Sequence, residues 1–257
     1  MTAQRPVICS IGTTHPWNVC GLGLDVLVLH ELGAHAVSVI AGVSAQGPDG
    51  VVARTAVDGP TIAAQFAALR QARVGAFRVG ALLSAESVRA VGAILERAYG
   101  VPAVCDPVIA SSDGGLLADA ATIGALRERL FARCDVLTPN LEEARVLLDA
   151  PEPVRSVAEM KRAARRLAEL GARAVLLKGG HLEDRAVDVL YAGGETTLFE
   201  DARLPGDMRG TGCVLAAALA FELARATPLV EAVRRARAVV REKIAGAAAF
   251  GHMRVAY

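Results

Sequence analysis

The chain has 257 residues, 53% of them hydrophobic, which is length and apolar content enough for one α/β domain with a sizeable core and excludes intrinsic disorder. Twenty-eight Lys and Arg against 27 Asp and Glu leave a net charge of +1, with neither sign gathered into a block, so nothing recommends a nucleic acid or an anionic membrane as partner. No stretch reaches the ~18 uncharged apolar residues of a spanning helix: Asp25 interrupts the run from Val19 to Leu32, and Glu222 the run from Val214 to Leu223. Residues 1–8 lack a basic segment followed by a long apolar one, and the chain reads as cytoplasmic. Five scattered cysteines, none in a CxxC pair, argue against a disulfide framework and a zinc site; Cys9, Cys105 and Cys134 lie in or beside apolar runs and read as core residues.

Strand-like and helix-like segments alternate along the chain. Pro6 to Ile11 predicts a buried strand, Leu22 to Leu32 a helix stopped by Gly33, and His35 to Ala41 a second strand. A Gly/Ser/Pro-rich loop is expected from Gly42 to Gly59, then a helix opened by Pro60 and a strand from Ala76 to Gly80. Ser84 is placed to cap a helix ending at Gly100, and Val101 to Cys105 predicts a strand. Ala118 to Cys134 has helical spacing, and Val136 to Thr138 reads as a short strand. Asn140 with Glu143, and Ser156 with Glu159, have the spacing of capping boxes. Ala174 to Leu177 is an apolar strand. Ala186 to Tyr191 and Thr196 to Phe199 alternate with no helix between them and predict an antiparallel edge. Cys213 to Ala224 predicts an apolar helix, and Thr227-Pro228 is expected to cap the last long helix, which runs to about Gly246. This order predicts a mainly parallel sheet with helices on both faces, and ligand binding at the C-terminal ends of the strands.

Three polar residues fall at those strand ends: Asp106, Asn140 and Lys178. Each also has a plain reading, as a turn pair with Pro107, an N-cap and a strand-end charge. Arg209-Gly-Thr-Gly-Cys213 opens a helix, where glycine-turn and first-turn N–H groups suit a phosphate; the same residues also suit an ordinary tight turn. The chain has no Walker A loop, and Gly21-Leu-Gly23 lacks the third glycine of a dinucleotide fingerprint.

Four ordered motifs carry a resemblance: Cys105-Asp-Pro-Val108, Thr138-Pro-Asn-Leu-Glu-Glu-Ala144, Lys178-Gly-Gly-His181 and Gly210-Thr-Gly-Cys213, with Ala45-Gln46 where the family has a Thr-Ala-Gln-Asn loop. In these the chain resembles, over nearly its whole length, the hydroxymethylpyrimidine/phosphomethylpyrimidine kinases of thiamine biosynthesis, within the ribokinase-like superfamily. The resemblance implies a three-layer αβα sandwich forming a single domain over residues 1–257, with ATP and Mg²⁺ as cofactors. It implies Gly210, Thr211 and Gly212 as an anion hole and Cys213 as the base facing the substrate hydroxyl, with the helix dipole lowering its thiol pKa. Lys178 matches a lysine on the ATP phosphates, with Asn140 and Arg209 expected on the same side, and Asp106 and Glu143 match carboxylates near the metal. Gln46 matches the reader of the aminopyrimidine edge, and Thr13, Trp17, Cys20, Ala81 and Val108 are expected around the same pocket.

The substrate loop departs most from the family. Where relatives read Gly-Ser-Asp-Pro-Ser-Gly-Gly-Ala-Gly-Ile-Gln-Ala-Asp, this chain reads Thr13-Thr-His-Pro-Trp-Asn-Val-Cys-Gly-Leu-Gly-Leu-Asp25. Ala81 stands where a methionine lines the pocket in many relatives. These changes leave a kinase of another hydroxymethyl heterocycle, such as pyridoxal, and a non-catalytic pyrimidine- or nucleotide-binding relative as alternatives. A homodimer is compatible with the resemblance, but no interface residue can be named.

Overall fold

The computed structural model describes residues 5–47, 50–111, 114–180, 185–206, 208–251 and 253–256. Its main sheet has nine strands, in the order β3-β2-β1-β4-β5-β6-β7-β8-β9. In chain order these are β1 (Val7–Thr14), β2 (His35–Gly47), β3 (Gly50–Ala56), β4 (Val74–Val79), β5 (Ala103–Cys105), β6 (Val136–Leu137), β7 (Ala174–Gly179), β8 (Arg185–Ala192) and β9 (Glu195–Ala202). The strands from β2 through β7 pair in parallel, while β3 on one side and β8 and β9 on the other pair antiparallel. The antiparallel edge expected at residues 186–199 is therefore present.

Successive residues of the parallel strands point to opposite faces, and both faces are buried, which accounts for their continuous apolar runs. Ile8, Ala76, Val104, Val136 and Leu176 face one core with α1 (Gly21–Glu31), α7 (Thr211–Ala224) and α8 (Leu229–Gly246). Cys9, Phe77, Cys105, Leu137 and Leu177 face the other, with α2 (Gly59–Ala68), α3 (Ala85–Arg97), α4 (Ala120–Ala125), α5 (Leu141–Leu147) and α6 (Val157–Ala168). This is the three-layer αβα architecture of the ribokinase-like fold. All five cysteines are free; Cys9, Cys105 and Cys134 are buried, as their apolar settings predict.

Local signals place most helix starts. Ser84 caps α3 through Ser87 N–H, and the capping boxes Asn140/Glu143 and Ser156/Glu159 both form. Three expectations need correction, and one element was not expected. The segment from Gly42 is no loop: β2 runs on to Gly47 and pairs with β3 as a hairpin. The helix expected from Ala118 to Cys134 changes pitch, α to Ala125, a π turn over Leu126–Leu130 and a 3₁₀ turn over Phe131–Arg133. Thr227 does not cap α8; its hydroxyl donates to Glu222 instead, 2.7 Å away. A second sheet, the hairpin of β10 (Ala248–Phe250) and β11 (Met253–Val255), follows α8 and has no counterpart in the sequence reading. No helix among the described residues is long and apolar enough to cross a membrane.

Candidate active site

The chain leaves β1 toward β2 on one side and later returns to β4 on the other, so the sheet's order reverses between β1 and β4. Loops at the C-terminal ends of the strands part at such a point and leave a crevice. Ladder bonds bring the next loops into line: Asp106 N–H donates to Val79 O, Thr138 N–H to Cys105 O, and Lys178 N–H to Pro139 O, each at 2.8–2.9 Å. Asp106, Asn140 and Lys178 are thereby presented on one edge.

The glycine turn meets them there. Gly210 has φ +83°, and a Cβ at this position would lie 2.4 Å from Val19 O and from Leu24 Cδ2, so no other residue fits the turn as it stands. The first helical bond of α7 runs from Val214 N–H to Gly210 O, which leaves the N–H groups of Thr211, Gly212 and Cys213 without helical acceptors. A Cβ on Gly212 would sit 3.0 Å from Lys178 Nζ and 3.5 Å from Asp106 Oδ2. The glycine turn thus lies close to the lysine and the aspartate, which are themselves bonded across 72 positions of chain.

Charge is balanced within this cluster. Lys178 Nζ donates to Asp106 Oδ1 at 2.7 Å, and Thr138 Oγ1 donates to the same oxygen at 3.2 Å. Burial alone would raise the Asp106 pKa, but Lys178 and Arg78 hold it below the usual carboxylate range. Burial would likewise lower the Lys178 pKa, yet Asp106 and Glu143 raise it, so the amine is charged. Glu143 is pushed up to about 7 by burial, against the pull of Lys178 and helped by Asp106. Its carboxylate already accepts the Asn140 N–H at 2.7 Å, and the Asn140 side chain is spent on the other half of the capping box.

Arg78 was not anticipated from the sequence. It is 1% exposed on β4, with Nε 3.2 Å from Asp25 Oδ2 and Nη2 3.6 Å from Asp106 Oδ2. Ser10 Oγ donates to Asp25. The guanidinium lies directly over Gly80, where a Cβ would be 1.8 Å from Nη1, and it also hydrogen-bonds to Cys213. Asp25 is pushed up to about 6 by burial, with Arg78 and Ser10 opposing. The available signal was a charge inside the apolar run 74–80, where a parallel strand tolerates one only if it is paired.

Cys213 sits where α7 begins, as expected, but its thiol pKa moves opposite to the expectation. Burial raises it, as do the nearby Asp25 and Asp106 carboxylates, and the opposing pull of Arg78 and the Gly21 N–H is insufficient to reverse this. The helix N-terminus does not make a standing thiolate here, because the sulfur is desolvated between two carboxylates.

Gln46 is buried on β2 rather than in a loop and lines a shallow, tightly packed recess with His15, Trp17, Val19, Gly47, Arg209 and Met253. Thr13 and Ala81 are brought together, Thr13 Oγ1 donating to Ala81 O at 3.0 Å. Cys20 contacts His15 through its sulfur at 3.0 Å. Thr13, Cys20, Ala81 and Val108 are not among the recess's lining residues. His181 and Asp207 lie outside the described residues.

The altered substrate loop proves internally consistent. Asn18 takes φ +52°, the left-handed region that asparagine tolerates better than other non-glycine residues. Its side chain fills the space over Gly23, where a Cβ would be 2.0 Å from Asn18 Oδ1. Glycine was lost at one position and gained at the other, and the two changes fit each other.

A family model described as phosphomethylpyrimidine kinase matches residues 18–257. A hydroxymethylpyrimidine/phosphomethylpyrimidine kinase of Rhizobium meliloti is 34% identical over 248 residues, 94% of this chain and 91% of its own length. The structure of a phosphomethylpyrimidine kinase from Clostridium difficile superposes with a TM-score of 0.81 at 26% identity, covering 94% of this chain and 100% of that one. A Bacillus subtilis pyridoxal kinase, solved as an ADP complex, superposes with a TM-score of 0.90 at 24% identity, over 98% and 97% of the two chains; at that identity the likeness speaks for the fold. Sequence match along the whole chain and superposition of the fold agree, and the protein belongs to the phosphomethylpyrimidine kinase family.

Proposed function

We propose that this chain is one kinase domain that transfers the γ-phosphoryl group of ATP to the hydroxymethyl group of 4-amino-5-hydroxymethyl-2-methylpyrimidine, and to the phosphate of the resulting monophosphate, in the cytoplasm. Family membership makes it a phosphotransferase. The observation that supports the site assignment is that a Cβ added to Gly212 would meet both Lys178 Nζ and Asp106, so the glycine turn, a charged amine and a buried carboxylate lie around one point.

Phosphoryl transfer asks the protein mainly for position and charge. The N–H groups of residues 211–213 and the Lys178 amine neutralise the moving phosphoryl group, with Arg209 and Asn140 flanking them. Cys213 first loses its thiol proton to solvent, and the thiolate so formed, stabilised by Arg78 and the Gly21 N–H, accepts the substrate hydroxyl proton. Gln46 offers its amide to the aminopyrimidine edge.

Asp106 and Glu143 are the residues that would hold Mg²⁺. The fit is chemical: Asp106 and Glu143 are buried carboxyls close enough for the charge of one to act on the other, and carboxylate oxygens suit a hard divalent ion. When bound, the ion would offset phosphate charge.

The test is Cys213→Ala. Turnover is expected to fall by at least a hundredfold, as for loss of a proton acceptor, while nucleotide affinity measured by calorimetry stays within about twofold. Undiminished turnover would remove the assigned base.

A further inference from the structure

A second carboxylate competes for Lys178. In the antiparallel ladder Lys178 on β7 stands directly opposite Asp188 on β8, and Asp188 opposite Phe199 on β9. Residues two apart on a strand share a face, so Lys178 points with Leu176, and Asp188 with Leu190, toward the layer of α7 and α8. Opposed residues of such a pair have Cβ atoms about 4.5–5.5 Å apart, so a lysine ammonium here has both Asp106 and Asp188 within its range. It lies on Asp106, at 2.7 Å.

Both oxygens of Asp188 are already engaged. Oδ1 accepts the Gly179 N–H at 3.0 Å, and Oδ2 is paired with Nη1 of Arg237, which reaches down from α8. Arg237 is 7% exposed, and further contacts hold it in place. Its Nη2 donates to Asp201 Oδ2 at 2.6 Å and to Ala186 O at 3.3 Å, and the guanidinium lies 5.7 Å from the centre of the Phe199 ring. Burial raises the Asp188 pKa, while Arg237 first, then the Gly179 N–H and Lys178, oppose it. The carboxylate therefore feels Lys178 even while Arg237 covers it. Without Arg237 a buried carboxylate would lose its main counter-charge, which is costly. A lysine, a point charge on a flexible four-carbon stem, can turn to replace it, whereas the anchored guanidinium fork cannot wander.

We propose that Arg237 is a positioning residue of the phosphoryl-transfer site: by occupying Asp188 it leaves Lys178 directed at Asp106 and the glycine turn, where the nucleotide phosphates are expected. This rests on the kinase reading above and adds to it a residue of α8 that acts through Lys178.

The test measures ATP affinity by calorimetry, at a temperature where circular dichroism shows each protein folded, for wild type, Arg237→Met, Lys178→Met and the two combined. Each single change is expected to weaken ATP about tenfold, and the pair to bind within about twofold of Lys178→Met alone, because the lysine is already withdrawn; independent effects would multiply to about a hundredfold. Adding Asp188→Asn to Arg237→Met removes the competing charge, keeps an acceptor for the Gly179 N–H, and is expected to return ATP affinity to within about threefold of wild type. A crystal structure of Arg237→Met is expected to show Lys178 Nζ on Asp188 in place of Asp106. If Arg237→Met does not fold, Arg237→Gln, which keeps much of the stem and two donors without the charge, carries the same expectations. Losses that multiply, no recovery with Asp188→Asn, or Lys178 still on Asp106 would overturn the proposal. The expected affinities without phosphorylation of any alcohol would uphold the role of Arg237 and overturn the kinase reading; turnover by wild type with ATP affinity unchanged in Arg237→Met would do the reverse.

Discussion

Glu143 and Asp25 hold their protons further up the pH scale than ordinary carboxyls, at about 7 and about 6, because burial penalises their charged forms. A carboxyl whose pKa is raised by folding contributes stability that is complete below its unfolded value and is lost as pH rises through its folded value. Asp106 is shifted the other way and acts only in more acidic solution. In the nucleotide-free protein these two groups therefore lower the thermal midpoint as pH rises from about 4.5 to about 7, the upper part of that fall belonging to Glu143. Glu143→Gln keeps a capping side chain at the third position of α5 and removes the titration. Calorimetric midpoints of wild type and Glu143→Gln, compared between about pH 4 and pH 7.5, should converge at the acid end and separate progressively up to about pH 7 in favour of the variant. Parallel curves would mean that Glu143 is not the group responsible.

At the scale of elements, the loop from residue 15 to residue 20 is defined by packing across to α1 and to the C-terminal hairpin. Gly23→Ala places a Cβ against Asn18 Oδ1 and is expected to cost about 1–3 kcal/mol in urea unfolding. Asn18→Gly vacates that space, so the double variant should recover most of the loss, a coupling of about 1 kcal/mol or more. Additive effects would show that the two residues do not depend on each other. This pair also marks what could be read from the sequence. Motifs at strand ends announced Asp106, Asn140, Lys178 and the turn at 210–213, because capping and glycine chemistry are local. The hairpin of β2 and β3 was hidden by its glycines and by a third strand whose residues are mostly exposed and do not alternate; β10 and β11 are three residues each, too short for any periodicity. Arg78 was silent because its meaning lies in partners brought from elsewhere in the chain.

For the whole molecule, a net charge of +1 suits an enzyme that holds its anionic ligand at one point instead of over a basic surface. In the reading we propose the means are internal: Lys178, the N-terminus of α7 and the buried Arg78, all gathered where the sheet order reverses. The two helical layers and the nine-stranded sheet serve to converge these groups, and the antiparallel strands at both margins leave the parallel centre to present them. Residues from 78 to 213 in the chain meet across that centre, so the motifs can be read from the sequence but their convergence, and the part of Arg78 in it, only from the fold.

The most direct test is an ATP-dependent phosphorylation assay of the purified full chain against a panel of hydroxymethyl rings, with products identified by mass spectrometry. The account predicts a phosphorylated product from 4-amino-5-hydroxymethyl-2-methylpyrimidine, with kcat/KM at least tenfold above that for pyridoxal. Preferential phosphorylation of pyridoxal, or ATP consumption that does not depend on any added alcohol, would contradict it.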